Sequence, residues 1–506
     1  MRAHKLMPPK LAIVILAAGK GTRLKSAQAK VLHRAAGLPL VAHVLRGVAP
    51  MAQKNAAASW VVVGHQAEQV QQVVESFAAR AVLQRPQLGT GHAVAQALAA
   101  LPRSVRGLLV LPGDAPLVRT ETLRALLAIH RRGKYAATVL SARLDDPTGY
   151  GRILRSESGS VIGIVEQKSL QGDQQELREV NSGMYCFERR ALAALLGRLG
   201  RDNPHREYYL TDVIALLRGQ GSAVGAYVAP DPDEILGVNT RAELARVDLL
   251  LRRRKAEALM AAGVTLYQPE TLAIDLDVTI SGDTVIERGV ELRGLTRIGR
   301  RCRIGAFSIL ENATLGDDVV IRPHTLVFNS RIGAGASIGP FAHLRDAADI
   351  RRRARIGNYV EVKKSVVGEG TKAQHLTYLG DATVGRDTNI GAGTITCNYD
   401  GLNKNPTLIG DCVFVGSGTE LVAPVRVGSG GYIAAGSTVT ENVPRDALAI
   451  ARSRQVNRPG WARTRRQKLA AAKARKEEPP VAVGIPNARQ RPRRSSRRGS
   501  RRKPAK

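Results

Sequence analysis

Residues 280–310 read ISGDTVIERGVELRGLTRIGRRCRIGAFSIL. Aliphatic side chains recur every six residues, at Ile280, Ile286, Leu292, Ile298, Ile304 and Leu310. Two further runs repeat the period: Ile332, Ile338, Leu344, Ile350, Ile356, Val362, and Ile409, Val415, Leu421, Val427, Ile433, Val439. If about a quarter of positions are aliphatic, six hits in one register arise by chance roughly twice in ten thousand. Neither the helical period of 3.6 nor the strand period of 2 produces this spacing. A period of six, often with Gly after the aliphatic residue, predicts a parallel β-helix: short strands, a corner in each repeat, and aliphatic side chains filling the axis. With three repeats per coil and ~4.8 Å between coils, residues 263–450 would form a prism about 50 Å long.

Upstream of this region the pattern is different. Apolar runs at 11–16, 60–63, 108–111 and 136–140 alternate with helical patterns such as 120–130, which is an α/β arrangement. Runs without polar alternation belong to strands covered on both faces, as in a mostly parallel sheet, and ligands then gather at the strand carboxyl ends. Between the two regions, Leu244, Val247, Leu251, Ala258 and Leu259 share one helical face and Gly263 supplies a stop. The expected organisation is therefore residues 1–240, a linker helix over 241–262, a β-helix over 263–455, and a C-terminal arm and tail over 456–506.

The net charge of +33 invites a nucleic-acid reading. Seventeen Lys and Arg against two Glu lie in 461–506, so the tail holds nearly half of the excess. Its segment RQRPRRSSRRGSRRKPAK has no aliphatic periodicity and is expected to be disordered, with at most nonspecific affinity for nucleic acid. A basic RNA-binding protein on a retired enzyme scaffold is the rival that the tail suggests. Cys186, Cys302, Cys397 and Cys412 form no CxxC pair and are too sparse for a disulfide framework, so reduced thiols in a cytoplasm are expected. The start imitates a secretion signal, but its apolar run is short and leads into Gly19-Lys20-Gly21-Thr22-Arg23, so a buried strand fits better. No stretch reaches the ~18 apolar residues of a membrane span.

The string Leu16-Ala17-Ala18-Gly19-Lys20-Gly21-Thr22-Arg23 follows the first strand and is expected to precede a helix, where backbone N–H groups can surround phosphate. It lacks the third glycine of a dinucleotide fingerprint and the Gly-Lys-Ser/Thr of a P-loop. With Lys30-Val31-Leu32 it resembles sugar nucleotidyltransferases. The likeness continues through Gln84, Leu88-Gly89-Thr90-Gly91-His92-Ala93, Gly113-Asp114-Ala115-Pro116, Gly149-Tyr150-Gly151-Arg152, Gly163-Ile164-Val165-Glu166, Asn181-Ser182-Gly183, Glu207-Tyr208-Tyr209-Leu210-Thr211-Asp212 and Gly237-Val238-Asn239. In this order, over about residues 10–461, the motifs resemble the bifunctional N-acetylglucosamine-1-phosphate uridylyltransferase/glucosamine-1-phosphate acetyltransferase family.

That resemblance implies a Rossmann-like nucleotidyltransferase domain followed by a left-handed β-helix, in a cytoplasmic homotrimer. It implies acetyl transfer from acetyl-CoA to glucosamine-1-phosphate, then uridylyl transfer from UTP to N-acetylglucosamine-1-phosphate with release of pyrophosphate. The product would feed peptidoglycan and lipopolysaccharide synthesis. For the uridylyl reaction it implies Leu16, Ala17, Ala18, Gly19 and Gly113 around the nucleotide, Arg23 and Lys30 as catalytic cations, and Gln84, Gly89 and Thr90 at uracil. Gly151, Glu166 and Asn181 would meet the sugar, and Asp114 and Asn239 would hold Mg2+, whose hard oxygen ligands they can supply. Taken singly, Asp114 reads more readily as a helix cap and Asn239 as a turn residue; the surrounding motifs reverse that preference.

Lys372-Ala373-Gln374-His375-Leu376-Thr377-Tyr378-Leu379-Gly380-Asp381 resembles the acetyltransferase site, with His375 as general base. Imidazole titrates near pH 6.5 and can take the proton an attacking amine must lose. Arg345, Lys363 and Tyr378 would hold the sugar phosphate, Asn389, Asn398 and Tyr399 would add substrate contacts, and Ala392, Ser417, Ala435 and Arg452 would bind acetyl-CoA. TCNYDGLNKNPT, 396–407, is too polar for a coil and is expected to loop over the site. Two residues depart from the family: Pro112 where a tyrosine is expected, and His343 where an arginine is expected. The spacing of His324, His343 and His375 does not argue for one shared zinc.

Overall fold

The computed structural model describes residues 11–55 and 58–477. The N-terminal part holds strands β1 (Leu11–Ala17), β2 (Arg34–Ala35), β3 (Leu38–Pro39), β4 (Ala58–Val63), β5 (Arg80–Leu83), β6 (Gly107–Pro112), β7 (Ala137–Arg143), β8 (Arg152–Arg155), β9 (Val161–Val165), β10 (Glu179–Glu188) and β11 (Val224–Val228). Its helices are α1 (Leu40–Asn55), α2 (Ala67–Glu75), α3 (Thr90–Ala100), α4 (Thr120–Arg132), α5 (Arg189–Leu196) and α6 (Asp212–Gly219). The sheet order is β11-β7-β10-β6-β1-β4-β5, parallel except for β10, which runs antiparallel to both neighbours. Each central strand is buried on both faces. Ile13, Ile15, Val61, Leu109 and Leu111 enter one core, and Ala12, Val14, Trp60, Val62, Leu108 and Val110 enter the other, which is why the sequence shows continuous apolar runs.

Helix α7 (Arg241–Ala261) joins the two regions as one continuous rod. Val247 and Leu251 pack with Leu24, Ala35, Leu40 and Leu117, while Ala256 and Leu259 enter the core of the following region. Arg46–Asp277 and Arg252–Asp275 ion pairs and the Leu276 N–H donating to Ala36 O (3.1 Å) fasten α1, α7 and the β2–β3 hairpin, respectively, to the first coil.

From Thr265 on, short strands stack in parallel as the expected left-handed β-helix. Of the eighteen aliphatic positions in the three runs, all but Ile280 are buried, and Ile280 is half-buried against the same core. The register explains why the runs are interrupted. Ile280 pairs with Ile298, eighteen residues on, but Ile298 pairs with Leu315 and Leu315 with Ile332, each seventeen on. One corner loses a residue in those coils, so the inward column continues through Leu315, Ile321 and Val327 outside a strict period of six. The polar stretch leaves the coil over 398–406 only, since Thr396 and Cys397 still belong to the strand Ile395–Cys397 and Thr407 to Thr407–Ile409: Val384 pairs with Ile409, twenty-five residues on, with the loop between them.

Arg452–Lys506 forms a second compact unit. Its described part contains helix α8 (Trp461–Glu477) at the start of what the sequence suggested was arm and tail. RQRPRRSSRRGSRRKPAK lies outside the described residues. Among the described residues, no helix is long and apolar enough to cross a membrane.

Leu315→Ala should lower stability by about 2–5 kcal/mol through the cavity it opens. Thr314→Ala, on the exposed side of the same strand, should change it by less than about 0.5 kcal/mol. Denaturant midpoints of the two variants measure the contrast.

Candidate active sites

The carboxyl ends of β1 and β6 open into a cavity of about 700 Å3. Leu16, Ala17, Ala18, Gly19, Lys30, Gln84, Gly89, Thr90, Asp114, Glu166 and Asn181 all line it, together with Lys20 and Pro112. The loop after β1 differs from expectation in one respect. It enters a single 3-10 turn, Thr22–Leu24, flanked by left-handed Gly21 (φ 68°) and Lys25 (φ 49°), instead of an α-helix. A three-residue turn has no developed macrodipole, so anion binding there falls to N–H groups and cations. A Cβ on Gly19 would meet no protein atom, whereas one on Gly21 would collide with the Lys30 side chain. Gly21 thus gives Lys30 its path into the cavity.

Lys30 Nζ contacts the Asp114 carboxylate and donates to Asn239 Oδ1 at 2.7 Å. Arg23 reaches the same Asn239 oxygen at 2.8 Å, from outside the cavity lining. A carboxylate oxygen and an amide oxygen, 125 residues apart in sequence, therefore converge on one cation. That hard, all-oxygen pair suits a small divalent ion, so the residues fit Mg2+. Gly113 lies behind the cavity, its N–H donating to Leu16 O (2.9 Å).

Gln84 is buried, and its NH2 is committed to Gly89 O (3.0 Å) and His92 Nδ1 (3.1 Å). Gly89 takes φ 103°, and a Cβ there would strike the Tyr208 carbonyl. Strand β10 brings Asn181 in, with its NH2 on the buried Tyr185 hydroxyl (2.8 Å), and Gly151 O accepts from Asn181 N (2.8 Å). Glu166 accepts from Thr211 Oγ1–H at 3.2 Å. Burial raises the Glu166 carboxyl above the ordinary range against that hydrogen bond, with Asp212 adding like-charge repulsion. Tyr185 and Thr211 also line the cavity; Thr211 stands in the string Glu207–Asp212 but has no role assigned from sequence, and Tyr185 lies outside every motif.

A second group lies on the β-helix. The strand Arg355–Lys363 pairs with Lys372–Gly380, setting Asn358 beside His375, and His375 Nδ1 lies 3.1 Å from Asn358 Oδ1. An amide oxygen can only accept, so in the neutral ring Nδ1 carries the proton and Nε2 the lone pair. One register line carries Arg345, Lys363 and Gly380, and the neighbouring line carries His343, Glu361 and Tyr378. Arg345 pairs with Glu361 at 2.7 Å and Lys363 with Asp381 at 3.9 Å. Asn398 donates to Asp381 at 2.6 Å, and the loop that follows folds back through a Tyr399–Lys404 bridge. Lys404, which the sequence reading passed over, lies beside Lys363, and that neighbouring cation lowers the Lys404 ammonium. Arg345, Lys363, Lys364 and Lys404 gather here against Glu361, Asp346 and Asp381, which leaves one cation in excess to suit an anion. His343 is half-buried in an edge contact with Phe328 (5.7 Å), and burial lowers its imidazole.

One corner of the prism runs past His375. Phe307, His324, Phe341, Tyr359 and Leu376 occupy it in successive coils, all in left-handed conformation (φ 46° to 58°), with rings stacked 5.1–5.4 Å apart. In the next three coils the same position is Gly393, Gly418 and Gly436. Ala392 and Ser417 precede two of these, their carbonyls accepting from Gly418 N (2.7 Å) and Gly436 N (2.8 Å), and Ala435 continues the column. The corner therefore changes from bulky side chains to bare backbone directly below His375. Asn389 sits three residues before that column, in register with Lys372 and Phe414. Arg452 belongs to the second unit.

A MobA-like NTP transferase domain model matches residues 13–209. A protein of Koribacter versatilis named bifunctional protein GlmU is 50% identical over 460 residues, covering 90% of this chain and 97% of the relative. Proteins of the same name from Pelobacter propionicus (49% over 454 residues) and Listeria monocytogenes (47% over 452) each cover 89% of this chain, and 98% and 97% of their own length.

The raised Glu166 carboxyl gives a signed prediction. The folded protein keeps a proton that the unfolded chain has released. This group's contribution is therefore fully present below the ordinary carboxylate range and lost as pH rises through its folded value. Glu166→Gln cannot ionise, so it should raise Tm at neutral pH, with the gain shrinking as pH falls toward that range. Thermal melts from pH 4 to 8 would show it.

Proposed function

This chain belongs to the bifunctional GlmU family, and from that premise we propose how its residues divide the family's two reactions. The enzyme transfers acetyl from acetyl-CoA to glucosamine-1-phosphate and uridylyl from UTP to N-acetylglucosamine-1-phosphate. Residues 263–455 carry the first reaction and residues 1–240 the second, with 241–262 as the rod between them and 456–506 as an arm. The observation that carries the assignment is the presence of two separate constellations on one chain: an imidazole with a free Nε2, and an Asp–Asn–Lys cluster at a strand end.

In acetyl transfer, Arg345, Lys363 and Lys404 neutralise the sugar phosphate, and Tyr378 lies over Gly380 beside them. Asn389, Asn398 and Tyr399 orient the sugar. His375 Nε2 takes the proton as the amine nitrogen attacks the thioester carbon, the carbon–sulfur bond breaks, and that same proton passes to the departing sulfur to give the CoA thiol. Asn358 holds the ring in the competent tautomer. The bare corner at Ala392, Ser417 and Ala435 suits pantetheine, and Arg452 the nucleotide phosphates.

In uridylyl transfer, a sugar phosphate oxygen attacks the α-phosphorus of UTP and the bond to the bridging oxygen of pyrophosphate breaks. Gln84 Oε1 is left to read a base N–H, since its NH2 is already engaged. Thr90 and Gly89 border the base, and Leu16 to Gly19 the phosphates. Arg23 and Lys30 offset the charge brought together by two polyanions. Gly151, Glu166 and Asn181 take the sugar hydroxyls and amide. Asp114 and Asn239 would hold Mg2+, which when bound supplies further charge neutralisation on the phosphates.

The reading includes a homotrimer in the cytoplasm, with sites between subunits. The exposed Phe307-to-Leu376 edge leading to His375 supports contact between copies. A light-scattering mass of one chain would count against it.

His375→Ala should abolish acetyl transfer and leave uridylyl transfer intact, and Asp114→Ala should do the reverse. If either variant stops both or neither, the division is wrong. Asn358→Ala should slow acetylation about tenfold or more without touching uridylylation.

A further inference from the structure

Asn239 stands immediately before the residue that caps α7, and a side chain four residues on grips its backbone. Glu243 Oε2 accepts from the N–H of Asn239 (2.7 Å), the N–H of Thr240 (2.7 Å) and the hydroxyl of Thr240 (3.1 Å). The Glu243 N–H donates back to Thr240 Oγ1 at 3.2 Å. A capping box uses its acid for one N–H, that of the capping residue. Here a second N–H is taken, from the residue before it. Two successive N–H groups aimed at one oxygen fix the rotation about the Asn239 Cα, and so the direction in which its side chain leaves the backbone.

The rest of the segment is equally constrained. Val238 N–H donates to Asp114 O at 2.9 Å, tying the backbones of the two oxygen donors together. Beyond Glu243, Val247 and Leu251 are packed under the β2–β3 hairpin, and Ala256 and Leu259 lie in the β-helix core, so α7 cannot roll. Glu243 itself lines a different hollow from the nucleotide cavity, with Tyr150, Arg246 and Gly237. It is therefore behind Asn239.

We propose that Glu243 is a positioning residue of the uridylyl site: its carboxylate clamps the Asn239 backbone and thereby sets how strongly the Asp114–Asn239 pair binds a divalent cation. This rests on the reading that those two residues hold the cation. Glu243 acts only through Asn239. A mere helix cap would add to stability, read as Tm, and leave the cation unaffected.

Calorimetric titration of UTP into the full-length protein, once with Mg2+ and once with EDTA, isolates the cation's contribution as the ratio of the two dissociation constants. Glu243→Ala should reduce that ratio roughly tenfold, as loss of an outer-shell partner does. Glu243→Gln, which keeps an accepting oxygen, should restore most of it. Glu243→Asp keeps the charge but shortens the reach, should fall with alanine, and serves if the alanine variant does not fold. Thr240→Ala removes the reciprocal half of the cap and should lower Tm with the ratio unchanged. A wild-type ratio in Glu243→Ala and Glu243→Asp, or an equal loss in Thr240→Ala, overturns the proposal. Asp114→Ala separates the underlying reading: if its ratio stays at the wild-type value, the cation is held elsewhere; if it collapses while Glu243→Ala is normal, only the role of Glu243 fails.

Discussion

In the β-helix every strand makes its backbone hydrogen bonds to the coil before and the coil after it, so no residue can change height without breaking a ladder. That constraint forces one inward aliphatic side chain at the same place in each coil and leaves the corners to absorb any difference in length. A coil of seventeen residues fits beside one of eighteen because a corner gives up a residue. The loop at 398–406 fits because it leaves the stack after Cys397 and rejoins it at Thr407. A catalytic strand in such a stack inherits a fixed register, and His375 meets Asn358 for that reason.

The corners bear the conformational cost. Left-handed backbone costs a residue with a Cβ roughly 1–2 kcal/mol, and Phe307, His324, Phe341, Tyr359 and Leu376 all adopt it on a single edge. Stacking between their rings offsets part of this. Below Leu376 the edge passes to Gly393, Gly418 and Gly436, which adopt the same backbone freely and leave no side chain in the way. The change from filled to bare edge coincides with His375, the proposed general base, and suits a long thioester cofactor lying along the prism as proposed.

The N-terminal cluster is assembled differently, by convergence of segments distant in the chain. Lys30 arrives past Gly21, Asp114 follows the end of β6, and Asn239 is presented by the first residues of α7. Since α7 ends in the β-helix core, the same element whose Glu243 holds the Asn239 backbone also anchors the β-helix. The two active sites are separate in chemistry but share a frame.

The sequence by itself determined the two architectures, and it named most of the residues that converge in the two candidate sites. Burial of an axis imposes a six-residue period, and double-sided burial of a parallel sheet imposes continuous apolar runs; both leave one-dimensional traces at Ile286, Ile304 or Val61. Only the tertiary structure decided which residues touch. The 3-10 turn at Thr22, the continuation of the inward column through Leu315, and the partnerships of Lys404 with Lys363, Asn358 with His375 and Glu243 with Asn239 had no signature in spacing. Each depends on a strand register, a corner length or a helix cap, quantities set by three-dimensional closure and by hydrogen bonds between groups whose separation along the chain carries no period.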